Sequence, residues 1–198
     1  MCKIETSRLR LRQFAPDDLD ELYRIYSHPN LIKYVATEKP LCLEDTKAAI
    51  NCQVEHWRKY RFGVWAVIHK KHQKLIGHCG LKFLENTPLV QLGYLLLPSY
   101  WGKGLGTEAA SAVLKYGFEV TKLERIVAIA LPENLASRRV MEKVGMKYEK
   151  EAYYYNHNVV FYSISQKAYQ SRTQGFKPTT KHEYLSCPIP QILTPVFR

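Results

Sequence analysis

The chain has 198 residues, of which 46% are hydrophobic and 24% are charged, a composition that predicts one globular domain and argues against a disordered protein. Its formal net charge of +11 favours anionic partners without identifying one. The N-terminus lacks the apolar run of a secretory signal and no stretch is long enough to span a membrane, so we expect a soluble cytoplasmic protein. The cysteines are scattered and never form a CxxC pair, which argues against a disulfide framework and a metal site.

Hydrophobic periodicity along the chain predicts both strands and helices. The first segment, TSRLRLRQF, sets leucines against arginines in strict alternation, which is typical of a strand with one apolar face. Strands are predicted at 6–14, 63–68, 74–83, 89–97, 125–131, 147–155 and 159–165. Helices are predicted at 16–29, 44–60, 107–120 and from the PEN turn at 132–134 to Gly145, whose position suits a left-handed helix cap. The three strands between 63 and 97 are expected to form an antiparallel meander.

The end of the chain differs from the rest. After Gln170 no periodicity continues, and four of the ten prolines fall in this segment. We therefore expect one domain over residues 1–170 and a proline-containing tail or docked arm over 171–198.

The segment YWGKGLGTEA, at 100–109, places alternating glycines directly before a predicted helix. Such glycines let successive backbone N–H groups turn toward one point, and the helix start adds unpaired donors and the positive end of its dipole. The spacing matches neither the Walker loop nor the GxGxxG dinucleotide fingerprint. The segment therefore predicts an anion-binding loop of another kind, with a glycine-rich surface turn as the alternative.

A basic region without acidic residues lies between Glu55 and Glu85. It includes the turn HKKHQK at 69–74 and the histidines His56, His69, His72 and His78. Because charge runs are usually solvated faces and no nucleic-acid motif accompanies this one, a solvated hairpin is the preferred interpretation. An RNA-binding surface is the alternative.

The predicted order of elements resembles the GNAT N-acetyltransferase fold. LGYLLLPSYWGKGLGTEAA, at 92–110, resembles the acyl-CoA segment of that family, and NLASRRVMEKVGM, at 134–146, resembles its second motif. WGKG followed by TEA is similar to the Rim-type branch, whose members include acetyltransferases of ribosomal-protein N-termini. The similarity extends over roughly residues 6–169 and implies an α/β (α+β) fold with a mixed, mostly antiparallel sheet flanked by helices.

The resemblance also implies how acetyl-CoA, the acyl donor, would bind. Its pyrophosphate is expected on the backbone of the glycine loop and its pantetheine arm along the preceding strand, although core packing alone would also explain the leucines there. Asn134 is matched to a cofactor contact and is also a good helix N-cap, and Ser137 is matched to a position near the thioester sulfur. The predicted cofactor-binding residues are Leu95, Leu96, Trp101, Gly102, Lys103, Gly104, Leu105, Gly106, Thr107 and Asn134, and the predicted catalytic residue is Ser137.

Two positions depart from the pattern of the family. Where many members carry a tyrosine that can protonate the leaving thiolate, this chain has Met141, so a hydrogen bond from Ser137 is expected to suffice. Where Rim-type relatives often carry a glutamate before Leu-Gly-Tyr, this chain has Gln91, which cannot accept and keep a proton. The substitutes left open for the base are Glu85, Glu133 and His157.

The weak base favours one class of acceptor. At pH 7, freeing an α-amine of pKa about 7.8 costs about 1 kcal/mol, whereas freeing a lysine-like amine of pKa about 10.4 costs about 4.6 kcal/mol. We therefore expect direct attack of a protein or peptide N-terminal α-amine on acetyl-CoA in a ternary complex, with no membrane partner and with nucleic acid only in a ribosomal context. The alternatives are a small-molecule amine (antibiotic, amino sugar or polyamine) as acceptor, and a catalytically silent acyl-CoA-binding module.

Overall fold

The structure, a computed structural model, describes residues 3–32 and 41–173. Its strands are β1 (Ile4–Glu5), β2 (Leu9–Arg12), β3 (Val64–His69), β4 (Lys74–Phe83), β5 (Val90–Leu96), β6 (Arg125–Ala130), β7 (Lys147–Tyr154) and β8 (His157–Ser165). Its α-helices are α1 (Leu19–Tyr26), α2 (Pro29–Ile32), α3 (Leu43–Tyr60), α4 (Leu105–Lys115), α5 (Leu135–Lys143) and α6 (Gln166–Thr173).

The strands form one sheet in the order β1-β2-β3-β4-β5-β6-β8-β7. Neighbouring strands are antiparallel throughout, except for β5 and β6, which run parallel and are joined by the crossover helix α4. The expected mixed, mostly antiparallel sheet flanked by helices is therefore confirmed.

Strands β5 and β6 separate soon after they meet. Both strands lie entirely within the described residues, and the pair Gln91 and Val127 is the one position at which they are in register. Beyond it, residues of both strands line an open cavity. The parallel junction therefore splits the sheet and creates the space in which a ligand can lie between two strands.

Alternation along β5 sends its side chains to two different cores. Leu92 and Leu96 pack against residues of α4, in the larger buried cluster. Leu95 packs against residues of α1 and β3, in a second cluster on the opposite face. Because successive strand residues point to opposite faces, Gln91 and Gly93 share the face of Leu95, and Tyr94 shares the face of Leu96.

Most predicted elements are confirmed, with differences at their ends. Strand 74–83 has the predicted bounds, and Gly145 has the left-handed φ of 93° expected of a helix cap. The helix predicted at 107–120 begins earlier, at Leu105, and its last turn, Tyr116–Val120, widens into a π-helical turn. Helix α6 was not predicted and crosses the expected boundary at 170; the rest of the predicted tail, 174–198, lies outside the described residues.

Within residues 3–32 and 41–173, no helix is both long and apolar enough to cross a membrane.

Candidate active site

A cavity of about 940 Å³ lies where β5 and β6 separate. Its wall on one side comes from the glycine loop and the first turns of α4 and α5. Its wall on the other side comes from α1, α3, β4 and the face of β5 that carries Gln91, Gly93 and Leu95. We call the first side the donor half and the second side the acceptor half.

The glycine loop has the backbone conformation of an anion-binding turn. Gly102 and Gly104 have φ values of 71° and 75°, in the left-handed region that favours glycine. Helix α4 begins immediately afterwards, and its N-cap, Gly104, has no side chain to cap the first turn. Residues 104–107 line the cavity, so the uncapped N–H groups of this turn and the positive end of the helix dipole fit a pyrophosphate.

Two other predicted cofactor residues fix the loop through side-chain bonds. The indole Nε1 of Trp101 donates to the carbonyl of Leu96, at 2.6 Å, which ties the loop to the end of β5. The ammonium of Lys103 donates to the carbonyl of Ser99, at 2.8 Å, and Lys103 is not among the described residues that line the cavity. The lysine therefore contributes positive charge beside the loop, with its ammonium bonded to the chain.

An arginine directly before β2 supports the loop, and sequence reasoning missed it. Arg8 Nη1 donates to the carbonyl of Lys103, at 2.8 Å, while Arg8 Nε donates to Glu108 Oε2, at 2.7 Å. Thr6 Oγ1 donates to the same carboxylate, at 2.6 Å. Burial alone would raise the pKa of Glu108, but the hydrogen bonds from Thr6 and Arg8 outweigh it and lower that pKa. No local pattern could reveal this contact, because its partners lie far apart in sequence.

The start of α5 brings a serine and a tyrosine together. Asn134 Oδ1 accepts from the backbone N–H of Ser137, at 3.0 Å, so the predicted N-cap is confirmed. Tyr94 Oη lies 2.9 Å from Ser137 Oγ and donates to the Ser137 carbonyl, at 2.8 Å. Burial raises the pKa of Tyr94, which keeps its hydroxyl protonated at neutral pH. Met141, one turn further, is buried and offers no proton.

Gln91 is buried at 3% exposure and is held by a tyrosine. Its Nε2 donates to Tyr155 Oη, at 3.1 Å, and that oxygen also accepts from the backbone N–H of Glu85, at 2.9 Å. The carboxylate of Glu85 accepts from the backbone N–H of Tyr155 and does not belong to the described cavity lining. Of the three substitutes for the base left open above, Glu133 and His157 line the cavity.

The acceptor half contains a bonded histidine and tyrosine. Tyr26 Oη and His78 Nδ1 are 3.2 Å apart, with the rings edge to face. Burial, with a smaller effect of Lys82, lowers the pKa of His78 to about 4, so the imidazole is neutral at pH 7. The buried Oε1 of Gln53, on the same wall, has no hydrogen-bond partner among the described residues.

Part of the basic hairpin is bonded within the protein. Lys70 Nζ lies 2.8 Å from Glu5 Oε2, and His72 Nδ1 lies 2.8 Å from Tyr100 Oη. These contacts reduce the charge that the hairpin can offer to RNA, so they favour the solvated-hairpin interpretation.

Comparison with known proteins gives the family. The profile of the acetyltransferase (GNAT) domain matches residues 8–147. YnaD of Bacillus subtilis, named an uncharacterized N-acetyltransferase, is 36% identical over 147 residues, which are 74% of this chain and 83% of YnaD.

Solved structures of acetyltransferases match the fold of this chain. A GNAT-family acetyltransferase from Bacillus anthracis matches with a TM-score of 0.72 and 31% identity, over 83% of this chain and 99% of that one. The ribosomal-protein-S5-alanine acetyltransferase of Vibrio fischeri matches in fold, with a TM-score of 0.71 and 21% identity over 83% of this chain and 96% of its own. The chain therefore belongs to the GNAT acetyltransferase family and is an N-acetyltransferase that uses acetyl-CoA as its acyl donor.

Proposed function

We propose that this acetyltransferase modifies a protein or peptide N-terminal α-amine, in the cytoplasm, by direct attack on acetyl-CoA in a ternary complex. The observation that carries the proposal is the charge of the acceptor half. Its described lining offers Tyr26, Gln53, His78, Lys82 and Gln91 as polar side chains and contains no carboxylate; the carboxylate in the described cavity lining, Glu133, precedes α5 in the donor half. An acceptor that carries several ammonium groups, such as a polyamine, gains no ion pair on this surface and is repelled by the lysine.

The lack of a carboxylate base in this described lining supports the same class of acceptor. An α-amine loses its proton at a cost of about 1 kcal/mol at pH 7, so it needs little help before it attacks. A lysine-like amine needs about 4.6 kcal/mol, for which a carboxylate or a metal-bound hydroxide would be expected nearby. The α-amine is therefore the acceptor that this set of side chains serves best.

The donor half supports productive binding of acetyl-CoA. The backbone of Trp101–Thr107 would hold the pyrophosphate, with Arg8 and Lys103 supplying positive charge next to it. Leu95 and Leu96 would lie along the pantetheine arm. This arrangement would place the thioester between the donor and acceptor halves, where β5 and β6 separate.

On the leaving-group side, Ser137 would donate a hydrogen bond to the thiolate as the C–S bond breaks. Its hydroxyl lies 2.9 Å from Tyr94 Oη, and a turn of the tyrosine proton from the Ser137 carbonyl to the serine oxygen would leave the serine proton free to point toward sulfur. A thiol of pKa about 8.5 is a tolerable leaving group near neutrality. This single hydrogen-bond donor can therefore replace the tyrosine that many family members carry at the position of Met141.

The experiment is a comparison of acceptor classes. The full chain is incubated with acetyl-CoA and a panel of peptides with free N-termini, N-terminally blocked peptides that contain lysine, polyamines and amino sugars. Free thiol is followed over time and products are identified by mass. We expect acetylation of the free N-termini alone; efficient acetylation of polyamines or of internal lysines, with inert N-termini, would contradict the proposal.

A further inference from the structure

His78 lies beside the strand that would carry the thioester. It is on β4, and its register partner on β5 is Leu95. Side chains of directly opposed residues lie on the same face of a sheet, about 5 Å apart at Cβ. The imidazole therefore lies on the acceptor face, next to the residue matched to the pantetheine arm, and it lines the cavity.

The two ring nitrogens of His78 have different surroundings. Its Nδ1 is hydrogen bonded to Tyr26 Oη, at 3.2 Å, and none of the described residues is bonded to Nε2. Tyr26 from α1 contacts the imidazole, Leu95 from β5 is its register partner, and Lys82 from the same strand and Gln53 from α3 line the same cavity. In the tautomer whose Nδ1–H donates to the tyrosine oxygen, Nε2 carries a lone pair that can accept a proton.

We propose that His78 is the group that receives the proton of the attacking amine, with Tyr26 as the residue that positions its ring. The inference rests on the proposed amine acetylation. The amine nitrogen forms a bond to the thioester carbonyl carbon as the π pair of the C=O bond moves onto oxygen, and the nitrogen becomes positively charged; Nε2 of His78 takes one of its protons. The oxyanion then re-forms the C=O bond, the C–S bond breaks, and the sulfur leaves as a thiolate stabilised by Ser137. The imidazolium releases its proton to water after the product departs.

The two faces of β5 support this division of roles. His78 lies on the face turned to α1 and α3, whereas Tyr94 and Ser137 meet on the face turned to α4 and α5. An amine that enters from the acceptor half would therefore reach the carbonyl with a proton acceptor on its own side. The hydrogen-bond donor to the leaving thiolate would lie on the other side. Burial lowers the pKa of His78 to about 4, so the imidazole is neutral and able to accept a proton at pH 7, although it is a weaker base than an ordinary histidine.

The test uses two variants and a matched control in the full-length protein. His78→Gln removes the proton acceptor, and Tyr26→Phe keeps the imidazole but removes its hydrogen-bond partner. His56→Gln is the control, because His56 is also partly buried with a pKa lowered by burial, yet it packs among Tyr60 and Phe62 outside the described cavity lining.

For His78→Gln we expect kcat to fall by about 10²-fold, the low end for a general base because this imidazole is a weak one, on the acceptor that the wild type acetylates best, while the Kd of acetyl-CoA and the melting temperature at pH 7 stay unchanged. Tyr26→Phe is expected to lower kcat by a smaller factor, of about tenfold, with an unchanged Kd of acetyl-CoA. The control is expected to keep the wild-type kcat.

Slow hydrolysis of acetyl-CoA without any amine gives a second readout, because water then takes the place of the amine and its proton goes to the same nitrogen. A His78→Gln variant that folds and keeps both kcat and hydrolysis within about threefold of wild type overturns the proposal, since general-base catalysis is worth at least about 10²-fold. If the wild type acetylates only small-molecule amines, the proposed acceptor is wrong, whereas the role of His78 is still decided on those amines.

Discussion

The donor and acceptor halves of the cavity are built in different ways. The donor half is built largely on one short segment, Trp101–Thr107, which has two glycines with left-handed φ values and leads directly into a helix. The acceptor half depends on side chains from α1, α3, β4 and β5, which meet only in the folded protein. A site made of local backbone can be read from a motif, whereas a site made of distant side chains depends on register and on which face of each strand is turned to the cavity.

The largest expected effect tests the donor half. Gly104→Glu should weaken acetyl-CoA binding by about 100-fold or more, because a carboxylate would then occupy the anion-binding turn. The change in Kd can be measured by titration calorimetry. Gly104→Ala is the control, since it carries the same left-handed strain of about 1 kcal/mol and its Cβ would meet only Arg8 Nη2, at 3.6 Å. Equal Kd values for the two variants would show that the turn does not hold the phosphates.

The next largest effect tests whether acceptor binding can be weakened without changing acetyl-CoA binding. A Cβ added at Gly93 would have no heavy atom within 4 Å, and this glycine lies on the acceptor face of β5. Gly93→Leu should therefore fold normally and raise the acceptor KM by about tenfold or more through lost space, while the Kd of acetyl-CoA stays unchanged. Gly93→Ala should give an intermediate KM. Loss of acetyl-CoA binding in the leucine variant would mean that this space belongs to the donor half.

The contrast between a local segment and distant side chains also explains which features could be predicted from the sequence. The strand at 74–83, the glycine loop, the Asn134 cap and the left-handed Gly145 all depend on local patterns or on the family resemblance, and the structure has them in place. Arg8 was interpreted only as the polar side of a strand, because its partner in α4 is 100 residues away.

His78 was hidden for a related reason. In the sequence it is one of several histidines in a basic region, and only the register of β4 with β5 places it beside Leu95. Tyr94 was likewise part of a recognised motif, but its bond to Ser137 depends on how α5 packs on the sheet. Distances between elements, which alternation and helical spacing do not encode, decide these contacts.

A smaller effect tests the support of the glycine loop from a distance. Arg8→Ala should raise the Kd of acetyl-CoA by about tenfold, or about 1.4 kcal/mol, because the variant loses both the bond to the Lys103 carbonyl and a positive charge near the phosphates. Arg10→Ala is the matched control: Arg10 also pairs with a glutamate, Glu5, at 3.0 Å, but does not bond to the loop. Similar Kd values for both variants would reduce the role of Arg8 to general surface charge.

The smallest effect concerns the stability of the acceptor half in mild acid. The folded-state pKa of His78, about 4, lies below its ordinary value of 6.5, so the unfolded chain binds more protons than the folded protein between these values. Stability should therefore fall as the pH is lowered from about 6.5 toward 4. Because His78 also borders the cavity, we expect a loss of only about 1 kcal/mol between pH 7 and pH 5.

Urea unfolding of the wild type and of His78→Gln at pH 7, 6 and 5 would measure this contribution. The carboxylate of Glu5, with its pKa lowered to about 2, loses its stabilising effect only below about pH 4.5 and does not interfere. His56 and His69 act in the same direction as His78, so the variant should flatten the pH dependence without removing it. A variant with the same slope as the wild type would mean that the His78 imidazole is hydrated from the cavity and carries no burial penalty. That result would also weaken the argument that it stays neutral beside the thioester, and it would therefore bear on the chemistry of the acceptor half as well as on its stability.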